Sequence, residues 1–196
     1  MVPQAILFDM DGTLTRPMLD FDAIKAEMGI GDRAILEAMV DMPPDDRLRC
    51  ETILDRHEEH AAEQSELNDG CLPLLDYLRS RDVPTALITR NSSRSVETVL
   101  AKHALMFRCV IARETCAPKP HPEPLWLACR QLGVSVRHAW MVGDGRYDIE
   151  AGRAAGVWTI WLSHGGRRRF TAEPNMDVKD LGELQSLLRR TLEGAS

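Results

Sequence analysis

From Thr85 onward the sequence alternates short apolar runs with segments of helical periodicity, and this rhythm limits the possible folds more than any other feature. The runs are TALIT, CVIA, AWMVG and WTIWLS. Between them lie SRSVETVLAKHAL, PEPLWLACRQLG and RYDIEAGRAAG, the last two closing on Gly133 and Gly156 as helix stops. Runs that are apolar throughout suit strands buried on both faces, and the helical segments between them suit the crossovers of a parallel sheet. AILFDM, near the N-terminus, has the same buried-strand character. The expectation is an α/β fold with a doubly wound parallel sheet.

Between AILFDM and TALIT the pattern changes. FDAIKAEMGI, RAILEAMVDM and DDRLRCETILDRHEEHAAEQSEL carry helical spacing with no strand among them, and Pro17 and Pro43-Pro44 punctuate the stretch. The simplest account is a small α-helical insertion after strand one. It is expected over residues 15–82, with residues 1–14 and 83–196 forming the core. LPLLDYLRSRD returns the chain to the core as a helix, and LGELQSLLRRTLEG forms a final amphipathic one. A chain of 196 residues is long enough for one domain of this kind with a modest insertion.

Charge and cysteine content narrow the setting. With 24 basic and 30 acidic residues the net charge is −6, which gives no general attraction to nucleic acid or to an anionic membrane. An anionic substrate must therefore be attracted locally. Cys50, Cys71, Cys109, Cys116 and Cys129 are scattered, without CxxC or zinc-ligand spacing, and read as free thiols of a reducing cytoplasm. No apolar run reaches the roughly 18 residues that a membrane span needs, and MVPQAILFDMDG lacks a signal-peptide pattern, so a cytoplasmic protein is expected.

FDMDGTLT, Phe8–Thr15, allows two readings. Asp-Gly between hydrophobic residues signals a hairpin, whereas two acids two residues apart suit a shared reaction centre. Pro17 interrupts what would be the second hairpin strand. In an open parallel sheet functional groups gather at the carboxyl ends of the strands, and polar residues occur there repeatedly. Asp9 and Asp11 follow strand one, and Thr89, Arg90 and Asn91 follow strand two. Asp144 and Asp148, in GDGRYD, follow strand four, and Lys119 precedes the helix leading to that strand. Each is a weak signal alone; at one sheet edge they supply the parts of a phosphoryl-transfer site. Two carboxylates about 4 Å apart repel by roughly 4 kcal/mol at an effective dielectric near 20, so Asp9, Asp11 and Asp144 in one small site require a cation. With oxygen ligands alone, Mg2+ fits.

These residues carry a resemblance to the haloacid dehalogenase superfamily, whose ordered motifs are DxDGT, a Ser/Thr after strand two, a Lys, and GD followed by a further Asp. Here they are Asp9-Met10-Asp11-Gly12-Thr13, Thr89, Lys119, and Gly143-Asp144 with Asp148. The DxDGT form is similar to that of phosphatases and phosphomutases, and the chain resembles the phosphoglycolate phosphatase-like branch. The resemblance implies Asp9 as nucleophile and Asp11 as acid and base, with Thr89 and Lys119 binding the phosphoryl group. It implies Mg2+ on Asp9, Asp144 and Asp11, the last through its backbone carbonyl. Asp148, bonded to Lys119, and Thr13, tightening the turn, would support the site from behind. Arg90 and Asn91, beside Thr89, are candidates for binding the substrate phosphate, and Arg16, beside the first motif, for substrate specificity. The helical insertion matches in position a cap that closes over the site.

The function so implied is magnesium-dependent hydrolysis of a small soluble phosphomonoester through an aspartyl-phosphate. A phosphomutase using the same intermediate is the alternative. A receiver domain or a catalytically idle binding protein is the alternative from another class. Four further features are read as structural. RHEEH is one residue short of the HExxH zinc pattern and reads as a solvated helix. HGGRRRF reads as a solvated loop near the active edge. Met28, Met39, Met42, Trp158 and Trp161 read as packing residues, and His103 and His121 have no catalytic partner that the sequence identifies.

Overall fold

The computed structural model describes residues 2–194. Six parallel strands form one sheet: β1 (Ala5–Phe8), β2 (Thr85–Ile88), β3 (Cys109–Ile111), β4 (Ala139–Gly143), β5 (Trp158–Leu162) and β6 (Met176–Val178), in the order β3-β2-β1-β4-β5-β6. The order reverses beside β1, so the crevice at its carboxyl end is the topological switch point. Five strands coincide with the apolar runs. The sixth, β6, is a three-residue edge strand whose Met176 and Asp177 are exposed, so it has neither an apolar run nor a buried face to mark it.

Helices cover both faces. Ile6, Phe8, Leu87 and Val142 pack on one side against Leu74 and Leu78 of α4 (Cys71–Ser80), Val96 and Val99 of α5 (Ser93–His103), and Leu184 and Leu188 of α8 (Leu181–Glu193). Leu7, Ala86, Ile88 and Met141, which alternate with them, face Leu125 and Ala128 of α6 (Glu123–Leu132) and Ala151 and Ala155 of α7 (Arg146–Ala155). The helices α6 and α7 stop at Gly133 and Gly156, as the sequence predicts.

The insertion has an apolar cluster of its own. In α1 (Phe21–Met28), α2 (Ile35–Val40) and α3 (Pro44–Gln64), the residues Ile24, Met28, Ile35, Met39, Ile53 and Leu54 pack on one another. The far half of α3 lies along α5. There the structure corrects the solvated reading of RHEEH. Leu54, Glu58, Ala61 and Ala62 share one helical face, and Glu58 is buried with them. Its carboxylate accepts the Ser92 N–H at 2.9 Å and pairs with Arg113 at 2.5 Å, while Asp55 takes the same guanidinium at 2.7 Å. Of the two histidines, His57 meets Glu27 at 2.9 Å and His60 is exposed. All five cysteines are free thiols. Among the described residues no helix is long and apolar enough to cross a membrane.

Candidate active site

The chain leaves β1 in a tight turn. Asp9 continues the ladder, its N–H donating to the Val142 carbonyl at 3.0 Å; the Met10 carbonyl then accepts the N–H groups of Thr13, Leu14 and Thr15 at 2.9–3.2 Å. Met10 is buried in the core cluster, and Asp9 and Asp11 line the cavity. Gly12 has φ +76°, and a Cβ on it would lie 2.1 Å from Asp144 Oδ2, so only glycine lets the two loops meet. The turn announced by Asp-Gly therefore exists, but it is not a hairpin turn: Thr15 goes on to bridge Leu67, beyond α3.

Lys119 is the centre of the site. It is 1% exposed, and its Nζ donates at 2.6 Å to each of three acceptors: Asp9 Oδ1, Asp148 Oδ1 and the Ile88 carbonyl. All three ammonium protons thus have acceptors. Asp148, in the first turn of α7, also accepts the Gly145 N–H through Oδ2 at 3.1 Å. Asp11 is held by Asn91 Nδ2, which donates to Oδ2 at 2.7 Å, and by the Thr15 hydroxyl, which donates to Oδ1 at 3.2 Å. Thr89 stands beside them, its Oγ1 accepting the Asn91 N–H at 3.2 Å. The Asp144 carbonyl accepts the indole N–H of Trp161 at 2.8 Å, so this tryptophan supports the β4 loop as well as packing.

Oxygens of Asp9, Asp144 and Asp148 lie within 4.8 Å of one another. The Asp11 carboxylate, held by Asn91 and Thr15, is outside this group; Asp148 is bonded to Lys119, as the sequence reading expects, and also lies within the group. One ammonium faces three carboxylates, and the donors are all oxygen, a set that fits a hard divalent cation. Without one, burial and then the Asp148 charge hold the Asp9 carboxyl well above its ordinary pKa. The same two causes push Asp144 up to about 7. Burial raises Asp11, with Asn91 and Thr15 opposing it. Burial also works against the Lys119 charge, but Asp148 and Asp9 outweigh it and its pKa is raised.

These groups form the floor of a cavity of about 560 Å³. Thr89, Arg90 and Asn91 also reach it, and Pro17, Leu19, Phe21 and Ile35 of the insertion line it opposite them. Arg90 turns outward from the acids: its guanidinium takes both carboxylate oxygens of Glu37 at 2.9 and 3.0 Å, stacks on Tyr147 at 4.1 Å and donates to the Lys119 carbonyl. The structure does not bring Arg16 to the cavity. With its N–H bound to the Glu66 carbonyl, its side chain points to Asp69 and Glu66, at 3.3 and 3.7 Å, and it lines a separate hollow. His103 and His121 also lie outside the cavity.

Several supporting residues carry no motif. Asn68 Nδ2 donates to the carbonyls of Gly12, Thr13 and Thr15, holding the acid-bearing turn from outside, while the buried Thr13 hydroxyl finds no hydrogen-bond partner among the described residues. The opening residue of HGGRRRF, His164, sets Nε2 2.6 Å from the Gly12 carbonyl; its three arginines are exposed. Tyr147, Arg146 and Lys25 line the cavity with nothing in the sequence to single them out.

A crevice of buried acids and one lysine, at the switch point of a doubly wound sheet and facing a helical insertion, is the architecture of a hydrolase class. The chain belongs to the haloacid dehalogenase-like hydrolase family, whose model matches residues 17–162. It is 34% identical to an N-acetylmuramic acid 6-phosphate phosphatase of Pseudomonas aeruginosa, over 83% of this chain and 82% of the relative. It is 30% identical to a phosphoglycolate phosphatase of Pseudomonas syringae pv. tomato, over 93% and 79%. The fold matches the crystal structure of a hydrolase from Pseudomonas syringae with a TM-score of 0.79, covering 95% of this chain and 98% of the other at 19% identity.

Proposed function

We propose that the chain is a phosphoric monoester hydrolase that cleaves a small soluble phosphomonoester, with Mg2+, through an aspartyl-phosphate on Asp9. The observation that carries this is the Lys119 junction: a buried ammonium fixes the carboxylate at the head of β1, and Asp11 is held two residues away by Asn91. Asp9 attacks phosphorus, and the P–O bond to the leaving group breaks as Asp11 gives that oxygen its proton. The raised pKa of Asp11 suits it to carry that proton. Asp11 then takes a proton from water, which attacks the aspartyl-phosphate and releases inorganic phosphate. Thr89, whose Oγ1 accepts from Asn91, has its own hydroxyl proton to donate to a phosphoryl oxygen, and Lys119 offsets the charge shared by Asp9 and the transferring group. Asp9 and Asp144, with Asp148 or the Asp11 carbonyl, would hold the cation, which when bound neutralises charge on the phosphoryl oxygens.

The relatives named as phosphatases support this reading, as does a cavity of about 560 Å³, small enough to favour a small substrate. Helices α1–α3 act as the cap. Free thiols suit action in the cytoplasm. The test is phosphate release from a panel of phosphomonoesters by wild type and Asp9→Asn, with magnesium and with chelator. Turnover is expected only for wild type with metal. An Asp9→Asn protein as fast as wild type would overturn the nucleophile, undiminished activity in chelator would overturn the metal, and sugar-phosphate isomerisation without phosphate release would favour a mutase.

A further inference from the structure

The insertion meets the core in two different ways. The far half of α3 is fixed by the buried Glu58–Arg113 pair, whereas α2 crosses to the core through Glu37 and Arg90, whose side chains are 46% and 19% exposed. This short helix stands between two spaces. Ala34 and Ile35 line the active cavity, and Leu36, Glu37 and Val40 line an outer cleft of about 480 Å³ whose other wall is Pro118, Pro120, His121 and Pro122. Its buried residues, Ile35, Ala38 and Met39, pack within the insertion, and its N-cap Ala34 offers no side-chain hydrogen bond. At this edge a bidentate, partly hydrated ion pair therefore spans an open gap.

We propose that Glu37–Arg90 is a releasable latch that closes α2 over the cavity, and that Arg90 is a positioning residue that couples this closure to the catalytic loops. Its guanidinium touches all the parts that must agree. It follows Thr89 in sequence, donates to the carbonyl of Lys119, and stacks on Tyr147, the neighbour of Asp148. A wet ion pair can break and re-form at little cost, as a gate for substrate and product requires.

The test measures hydrogen exchange over residues 34–40 in wild type, Glu37→Gln and the charge-exchanged Glu37→Arg/Arg90→Glu protein, at low and high salt. Kinetics on p-nitrophenyl phosphate are measured for wild type and Glu37→Gln, with thermal melts confirming intact folds. Glu37→Gln is expected to speed exchange about threefold, the scale of a partly exposed ion pair, and to raise KM more than it lowers kcat. High salt should move wild-type exchange toward the variant, and the exchanged pair should restore protection. Unchanged exchange in Glu37→Gln overturns the latch. So does a fall in KM, which would mean that Glu37 competes with substrate for Arg90. The kinetic arm rests on the phosphatase reading and the exchange arm does not, so failure of one is distinguishable from failure of the other.

Discussion

Two ion-pair assemblies border one cavity and differ in almost every physical respect. Around Lys119 the charges are buried, all three ammonium protons have acceptors at 2.6 Å, and three acids crowd one cation. Between Glu37 and Arg90 the charges are balanced one to one and partly in water. Burial makes the first assembly costly to disturb and shifts its acids out of their ordinary range; hydration makes the second cheap to open. The contrast separates what must stay in place during chemistry from what must move to admit a substrate. Glu58 and Arg113 extend the lesson, because the same insertion that is loosely held at α2 is fixed by a buried pair at the far half of α3.

The comparison breaks most sharply at Asp9. Asp9→Asn keeps the shape and removes the nucleophile, so kcat/KM should fall on the order of 10⁴-fold or more while the fold stays intact. A much smaller fall, measured with magnesium over substrate concentrations that span KM and checked by thermal melting, would mean that the buried assembly is not the reactive one. Lys119→Met comes next. Removing the ammonium that bridges Asp9 and Asp148 leaves buried carboxylates uncompensated, a loss of about 3–5 kcal/mol in unfolding free energy. Denaturant titration should show it, and loss of turnover should accompany it. Stability within about 1 kcal/mol of wild type would place Lys119 among surface pairs instead.

The acids give a smaller effect with a definite sign. Asp144 titrates near 7 in the folded chain without metal, raised by burial and then by Asp148, against an ordinary value of 3.8. The folded protein thus holds this proton more tightly than the unfolded chain. The stability it contributes is full below about pH 4 and is lost as pH rises through about 7. In chelator, melting temperature should therefore fall between pH 5 and pH 8. Each kcal/mol lost is worth about 2–4 °C in a chain of this size. Magnesium should raise the melting temperature more at pH 8 than at pH 5, since it replaces the missing protons. A flat profile in chelator would mean that the three carboxylates are not crowded as described.

The parts of this arrangement that the sequence discloses are those written in local spacing. Five strands are visible because burial on both faces leaves uninterrupted apolar runs, and Asp9, Asp11, Thr89, Lys119 and Asp144 are visible because each lies just beyond a strand or in a motif loop. What depends on distant encounters is hidden. Glu58 reads as one more charge on a polar helix and is buried only because Arg113, 55 positions away, arrives to meet it. Asn68 looks like an ordinary turn residue and holds three carbonyls of the acid-bearing loop. The edge strand β6 is three residues long and buries Val178 alone, too short for an apolar run to reveal it.

Arg16 and Arg90 provide the finest test, because the sequence presents them alike: each lies beside a motif and each is a candidate for substrate contact. The fold separates them. Thr15 bridges Leu67, which sends Arg16 to Glu66 and Asp69, with Arg16 half exposed and Asp69 98% exposed. Arg90 is held between α2, Tyr147 and the Lys119 loop. Exposed pairs of the Arg16 kind contribute about 0–1 kcal/mol. Arg16→Ala should therefore leave unfolding free energy within about 0.5 kcal/mol of wild type, the range of ordinary surface substitutions. It should also leave KM unchanged, because nothing it touches borders the substrate cavity. A raised KM in Arg16→Ala would mean that the hollow beside Asn68 and His164 communicates with the acid-bearing turn through the Gly12 carbonyl that both residues hold.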